Sequence, residues 1–138
     1  MKFLIKHIIL FLIGGCIYSA IEISARGYTH PSMFILGGLC FICIGWLNEF
    51  LNWNDPLVLQ MIAGGAIVTF LELLTGFYVN IYKGWHVWDY TDMPFNFMGQ
   101  ICLPFSLMWC LLSLIGILID DYIRYKYFGE EKPKYRII

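Results

Sequence analysis

The sequence is poor in charged residues. Only 14% of its 138 residues are Asp, Glu, Lys or Arg, whereas a soluble domain is closer to about a quarter charged. The hydrophobic share is 59% and the mean hydropathy is +0.69. Because the apolar residues come in long runs, we predict an integral membrane protein whose first partner is the lipid bilayer. The net charge of −1 indicates no general affinity for nucleic acid.

Several catalytic motifs are also missing from the sequence. It has no Gly-x-x-x-x-Gly-Lys-[Ser/Thr] loop, so the chain does not hydrolyse ATP through a P-loop of its own. It also lacks the His-Glu-x-x-His motif of zinc proteases and the Gly-x-Ser-x-Gly nucleophile elbow. We therefore expect a protein that is not an enzyme, with no catalytic residue, no metal site and no cofactor.

The apolar residues that are present fall into four runs. Each run meets the roughly 20 residues that a helix needs to cross about 30 Å of hydrocarbon. The predicted fold is an all-α membrane protein with four transmembrane helices in one domain, 1–121, followed by a charged cytoplasmic tail, 122–138. The predicted spans are about 4–25, 33–51, 57–80 and 96–121.

A polar pattern occurs twice within these runs. Residues 14–22 and 64–72 both begin with a Gly-Gly pair and end with a glutamate. We interpret this as a duplicated two-helix unit, with repeats at about 4–51 and 57–121. Two spans per unit give both copies the same orientation, so the duplication is parallel. The N-terminal run resembles a secretory signal, but its glycine pair belongs to the repeat, and we expect a retained helix.

The basic residues are unevenly distributed between the two ends of the predicted bundle. Only Arg26 and Lys83 lie at the end that carries the longer loop. The positive-inside rule therefore predicts a plasma-membrane protein with both termini in the cytoplasm. The seven basic residues near the termini are Lys2, Lys6, Arg124, Lys126, Lys132, Lys134 and Arg136.

Glu22 and Glu72 are the first candidate site residues, because a carboxylate within an apolar helix is costly and by default a functional candidate. Each lies on a helix face of small and polar residues, which is also the pattern of a packing seam. Arg26 lies four residues beyond Glu22, so a structural ion pair is the favoured interpretation there. For Glu72, a functional role and structural hydrogen bonding are both open. The two faces are Gly15, Ser19, Glu22, Arg26 and Gly65, Thr69, Glu72, Gly76.

The fourth run predicts a polar pocket around Glu72. Pro104 cannot donate a backbone hydrogen bond, so it is expected to kink a helix and to free the carbonyl of Gln100. Asn96 and Gln100 lie at nearly the depth of Glu72 and are expected to converge on it. Together they predict an outward-facing polar pocket.

The loop before that run contains Trp88, Asp89 and Tyr90, which are residue types common in recognition sites. The alternative is that Asp89 caps a turn and that the aromatic rings lie at the membrane interface. Both interpretations are open from the sequence.

Five segments of the sequence, several of which contain the candidate residues above, resemble a known family of membrane proteins. The segments Leu71–Gly76, Trp88–Thr91, Pro94–Asn96 and Gly99–Pro104, followed by Ser106–Trp109, resemble the CmpB-like family of type IV ABC transporters, which includes bacterial ABC transporter permeases. The resemblance covers about residues 60–115 and implies transport. Thr91 stands where serine is expected in the family.

The sequence thus predicts a transporter component with a permease-like role and a small-molecule or ion ligand. The alternatives are a non-catalytic accessory or scaffold subunit of a membrane complex and, less favoured, a membrane-embedded enzyme that modifies lipids. Four spans leave little room for a path within one copy. A homodimer or another membrane protein is therefore the expected partner.

Overall fold

The computed structural model describes residues 2–50, 55–130, 132 and 135 and is mostly helical. The predicted cytoplasmic tail, 122–138, therefore lies partly outside the described residues. Helix α3 continues directly into a π-helical segment, and a two-stranded antiparallel hairpin precedes α4. The elements are α1 (Lys2–Arg26), α2 (Pro31–Phe50), α3 (Leu57–Gly76), the π-helical segment (Phe77–Tyr82), β1 (Asn96–Phe97), β2 (Ile101–Cys102) and α4 (Leu103–Phe128).

The lengths of the helices support a membrane protein. Among the described residues, three helical stretches are able to cross a bilayer by length and composition: Lys2–Ser24, Leu57–Tyr82 and Leu103–Phe128. The described apolar part of α2, Pro31–Leu47, is shorter. An all-α, membrane-type fold is therefore confirmed. Four full spans and the parallel duplication stay predictions.

Helix α1 packs mainly on α2, and α3 packs mainly on α4. In the α3–α4 seam, a Cβ atom on Gly65 would overlap the Sγ of Cys110, so only glycine allows the two helices to approach this closely. Thr69 donates its hydroxyl hydrogen to the hydroxyl of Ser106, with 2.9 Å between the oxygens. The polar face predicted for α3 is thus a packing seam along this part of its length.

The start of α4 differs from the prediction. The helix begins at Leu103 and not near 96, so Pro104 lies in its first turn, where a missing N–H costs no helical hydrogen bond. The expected kink is therefore wrong. Residues 96–102 instead form the short hairpin, and Gly99 takes a φ of 73°, a left-handed conformation that favours glycine.

Helix α4 also extends beyond its expected end at 121 and stops before Gly129, which has a φ of 67°. The last turns hold a buried ion pair in which Asp120 Oδ2 lies 2.8 Å from Arg124 Nε. The Asp120 carboxylate packs against Gly45 of α2. Glu130 lies 2.9 Å from the Nζ of Lys6 and so connects this end of α4 to α1. We call this region the termini end of the bundle.

Candidate functional site

Glu72 lies in α3 at the opposite end of the bundle, with only 1% of its surface exposed. Its Oε2 accepts a hydrogen bond from the Tyr90 hydroxyl at 2.9 Å. Its Oε1 accepts one from the indole Nε1–H of Trp109 at 3.2 Å. A buried carboxyl group needs such donors, and these come from the loop and from α4. We call Glu72, Tyr90 and Trp109 the Glu72 cluster.

Aromatic rings surround the cluster. The Tyr90 ring stacks on Phe105 with centroids 4.9 Å apart, and the Tyr18 ring of α1 stacks on Trp109 at 5.7 Å. Burial raises the pKa of the Tyr90 hydroxyl well above its usual value, and the neighbouring Glu72 carboxyl group raises it further. Tyr90 therefore stays protonated and remains a hydrogen-bond donor at neutral pH.

Gln100 and Asn96 do not make the contacts with Glu72 that the sequence predicted. Gln100 Oε1 accepts a hydrogen bond from Asn80 Nδ2 at 2.8 Å, and Gln100 Nε2 donates to the carbonyl of Met98 at 2.9 Å. Gln100 also packs on Gly76, where a Cβ atom would lie 2.5 Å from its Oε1. An open polar pocket around Glu72 is thus not shown.

Hydrogen bonds of Asn80 and Trp88 hold the loop between the π-helical segment and β1 in place. Asn80 Oδ1 accepts the backbone N–H of Val87 at 2.7 Å. Trp88 is buried, and its indole Nε1–H donates to the carbonyl of Gln100 at 2.9 Å. The carbonyl that was expected to be freed by Pro104 is therefore occupied. Trp88 is thus a loop residue whose side chain belongs to the buried core and is not an exposed interfacial ring.

Asp89 and Asn96 are exposed and shape the loop itself. Asp89 Oδ1 accepts the backbone N–H of Thr91 at 2.9 Å, as the turn interpretation predicted. Hydrogen bonds from Thr91 hold the pKa of Asp89 below its usual value. Asn96 Nδ2 donates to the carbonyl of Met93 at 2.9 Å, and its Oδ1 accepts the N–H of Gly99 at 3.1 Å.

Glu22 and Arg26 form the ion pair that their spacing predicted, with 2.9 Å between Arg26 Nη1 and Glu22 Oε2. Arg26 also donates to the carbonyl of Val87 at 2.8 Å, and its guanidinium lies 4.5 Å above the Tyr28 ring. The pair thus attaches the end of α1 to the same loop that carries Tyr90.

Three contributors to the site were not predicted from the sequence: Trp109, Tyr18 and Asn80. Trp109 is a buried core residue, and the indole N–H of a buried tryptophan usually finds a hydrogen-bond acceptor, here Glu72. The same rule applied to Asn80, within an apolar segment, would have identified it as a bridging residue.

The comparisons agree with this membrane architecture. The chain matches the family described as Putative ABC-transporter type IV over residues 3–136, which is nearly its whole length. No curated protein and no solved structure matches it. On the extent of the family match, the chain belongs to the Putative ABC-transporter type IV family of membrane proteins.

Proposed function

We propose that the protein is a permease-like component of a membrane transporter and that the Glu72 cluster is its ligand-responsive site. One observation carries the proposal: a carboxyl group in an apolar helix is almost fully buried, and a loop tyrosine covers it. An ionisable group at such a position is by default a functional candidate, because its burial is costly.

The arrangement of the Glu72 cluster is consistent with a gating step in which Tyr90 controls access to the Glu72 carboxyl group. A proton or a small cation is the ligand chemistry that a single carboxyl group attracts, and it reaches Glu72 only when the Tyr90 hydroxyl moves away. Tyr90 belongs to the loop, whereas Trp109 belongs to α4, so a ligand that displaces Tyr90 frees the loop and leaves the α3–α4 contact in place. In this proposal the Glu72 cluster is the closed state of an outward-facing site.

The membrane arrangement is part of the proposal. Both termini lie in the cytoplasm, and four helices cross the plasma membrane as a parallel duplication. The glycine pairs support the duplication, because Gly14 lies against Phe41 of α2 and Gly64 lies against Ser113 of α4. We expect a homodimer or a second membrane protein to complete a path. The chain has no P-loop, so any ATPase is a separate chain.

The two alternatives have less support. An accessory subunit would bind its partner through a small-residue helix face such as that of Gly65 and Gly76, but these glycines contact Cys110 and Gln100 of the same chain. A lipid-modifying enzyme would need an acid and a base, for which Glu72 and Asp89 are the candidates. Their hydrogen-bond partners are separate: Asp89 is exposed and bound to Thr91, whereas Glu72 is buried.

Thermal unfolding in nanodiscs tests the proposal. Wild type, Glu72→Gln and Asp89→Asn are each melted with sodium, potassium or choline chloride at pH 5.5 and pH 8. A cation that binds only the folded state, and is present at a concentration of about 100 times its Kd, stabilises that state by about 2.7 kcal/mol. We expect pH-dependent stabilisation by sodium or potassium in wild type and in the exposed-carboxylate control Asp89→Asn, and none in Glu72→Gln.

The same three proteins are then reconstituted into liposomes, and cation and proton fluxes are measured with entrapped dyes. The proposal requires a flux that Glu72→Gln abolishes and Asp89→Asn retains. Equal stabilisation and equal flux in all three proteins would remove Glu72 from any role in transport.

A further inference from the structure

An apolar crevice lies between α1 and α4, on the side where the two helix pairs do not pack closely against each other. Its volume is about 150 Å³, and it is partly open at the surface of the bundle. Ile44 of α2, Val68 of α3 and Tyr18 of α1 belong to its lining, and so does Trp109, which is also a member of the Glu72 cluster. Nearly all of the lining atoms are apolar.

Gly116 sets this crevice apart from the seams between helices. A Cβ atom on Gly65 would overlap a neighbouring helix, whereas one on Gly116 would meet only the Cδ1 of Ile44, at 3.9 Å. The missing side chain at Gly116 therefore brings no helix closer. It keeps space open inside the crevice.

The dimensions and chemistry of the crevice limit what occupies it. An apolar cavity of about 150 Å³ stays dry and accepts a guest of about the size of benzene, which corresponds to roughly six carbon atoms. A transmembrane helix is about 10 Å across and does not enter.

The mouth of the crevice indicates the source of the guest. Ile21 of α1 and Ile115 of α4 line it and are 41% and 53% exposed. In a membrane protein, such exposed apolar side chains contact the hydrocarbon of the bilayer. We propose that the crevice binds an acyl chain of a membrane phospholipid, which enters sideways between α1 and α4. This site is distinct from the Glu72 carboxyl group and does not depend on transport.

Trp109 provides a direct readout, because it lines the crevice and is only 7% exposed. Bromine atoms on an acyl chain quench tryptophan fluorescence on contact. The protein is placed in nanodiscs of phosphatidylcholine brominated in the middle of its chains, and the part of the quenching that Trp109→Phe removes is assigned to Trp109. We expect Trp109 to be quenched although bulk lipid does not reach it.

Larger side chains at Gly116 fill the crevice and so test whether the acyl chain lies there. Gly116→Ala and Gly116→Leu are expected to reduce Trp109 quenching in steps, with at least a twofold loss for leucine. The control is Ala20→Leu, at an exposed position of α1 that does not line the crevice, and it should quench like wild type. Quenching that is the same in folded Gly116→Ala, Gly116→Leu and wild type would overturn the proposal.

Ser113 tests the chemical class of the guest. Ser113 is a lining residue of the crevice, and its buried hydroxyl has no hydrogen-bond partner among the described residues. A hydrocarbon chain makes no use of a hydroxyl, so Ser113→Ala should keep full quenching. Loss of quenching in Ser113→Ala would show a guest held through a polar atom and would contradict an acyl chain.

Discussion

Both ends of the helix bundle bury carboxyl groups, and Glu72 at one end and Asp120 at the other are held in different ways. Glu72 is 1% exposed and is bound by neutral donors, the Tyr90 hydroxyl and the Trp109 indole. Asp120 is 0% exposed and is paired with a cation, Arg124, which is itself 2% exposed.

The difference concerns where the partners come from. Arg124 lies one helical turn after Asp120, so the ion pair moves with α4 as a unit. The donors to Glu72 come from a loop and from another helix, so that cluster connects three parts of the chain. Asp120 is thus held within one helix, whereas Glu72 is held by contacts between separate segments.

The largest expected effect on stability comes from removing the buried guanidinium group of Arg124. Arg124→Met leaves Asp120 as a buried charge without this partner, which should cost about 3–5 kcal/mol of unfolding free energy. Chemical denaturation in nanodiscs measures it. In the double variant Asp120→Leu/Arg124→Met both charges are gone, and we expect much of the stability to return. Equal losses in the single and double variants would show that the pair is not a charge interaction.

Replacing Glu72 should lower the free energy of unfolding by less than Arg124→Met does. Glu72→Gln keeps one carbonyl oxygen, so one of the two donors loses its acceptor, but no charge is left unpaired. The expected loss is about 1–3 kcal/mol, by the same denaturation assay. A loss larger than that of Arg124→Met would reverse the ranking of the two ends.

A third variant isolates one hydrogen bond. Tyr90→Phe keeps the ring on Phe105 and removes only the hydroxyl, which should cost about 0.5–1.5 kcal/mol. A double-mutant cycle with Glu72→Gln should show coupling between the two positions. The same cycle with Asp89→Asn serves as the control, and coupling there of equal size would argue against a direct bond between Tyr90 and Glu72.

The smallest expected effect concerns Asp89. Its pKa is lowered by hydrogen bonds from Thr91, so its contribution to loop stability is present above the unfolded pKa of about 3.9 and is lost as pH falls through the lower folded value. Asp89→Ala should therefore lower the melting temperature slightly at pH 7 and should match wild type near pH 2. A difference that persists at pH 2 would have another cause.

Short-range patterns in the sequence predicted much of the fold. The apolar runs gave the helices to within a few residues, except at both ends of the fourth. The i, i+4 spacing predicted the Glu22–Arg26 pair, and the small residues of the Gly65 face indicated a packing seam, which α3 forms with α4. Each of these depends on residues within one helix or on a periodicity that neighbouring helices share.

The partners of Glu72 were not predictable in the same way. Tyr90 and Trp109 lie 18 and 37 residues away in sequence, and nothing local indicates which polar group will reach a buried carboxyl group. Asn96 and Gln100 were better candidates by depth alone. They were assigned wrongly because the chain from 96 to 102 turns back as a hairpin instead of continuing a helix.

The π-helical segment Phe77–Tyr82 has a consequence for how this chain tolerates insertions and deletions. A π-helical turn contains one more residue than an α-helical turn, so everything after it is rotated by about 100° relative to a regular helix. That rotation accompanies the burial of Asn80, which holds both Gln100 and the N–H of Val87. Deletion of a single residue between Phe77 and Asn80 is expected to restore regular helix and to move the Asn80 amide away from Gln100 and Val87. Homologues that differ in length at this point should therefore differ in how the loop is attached.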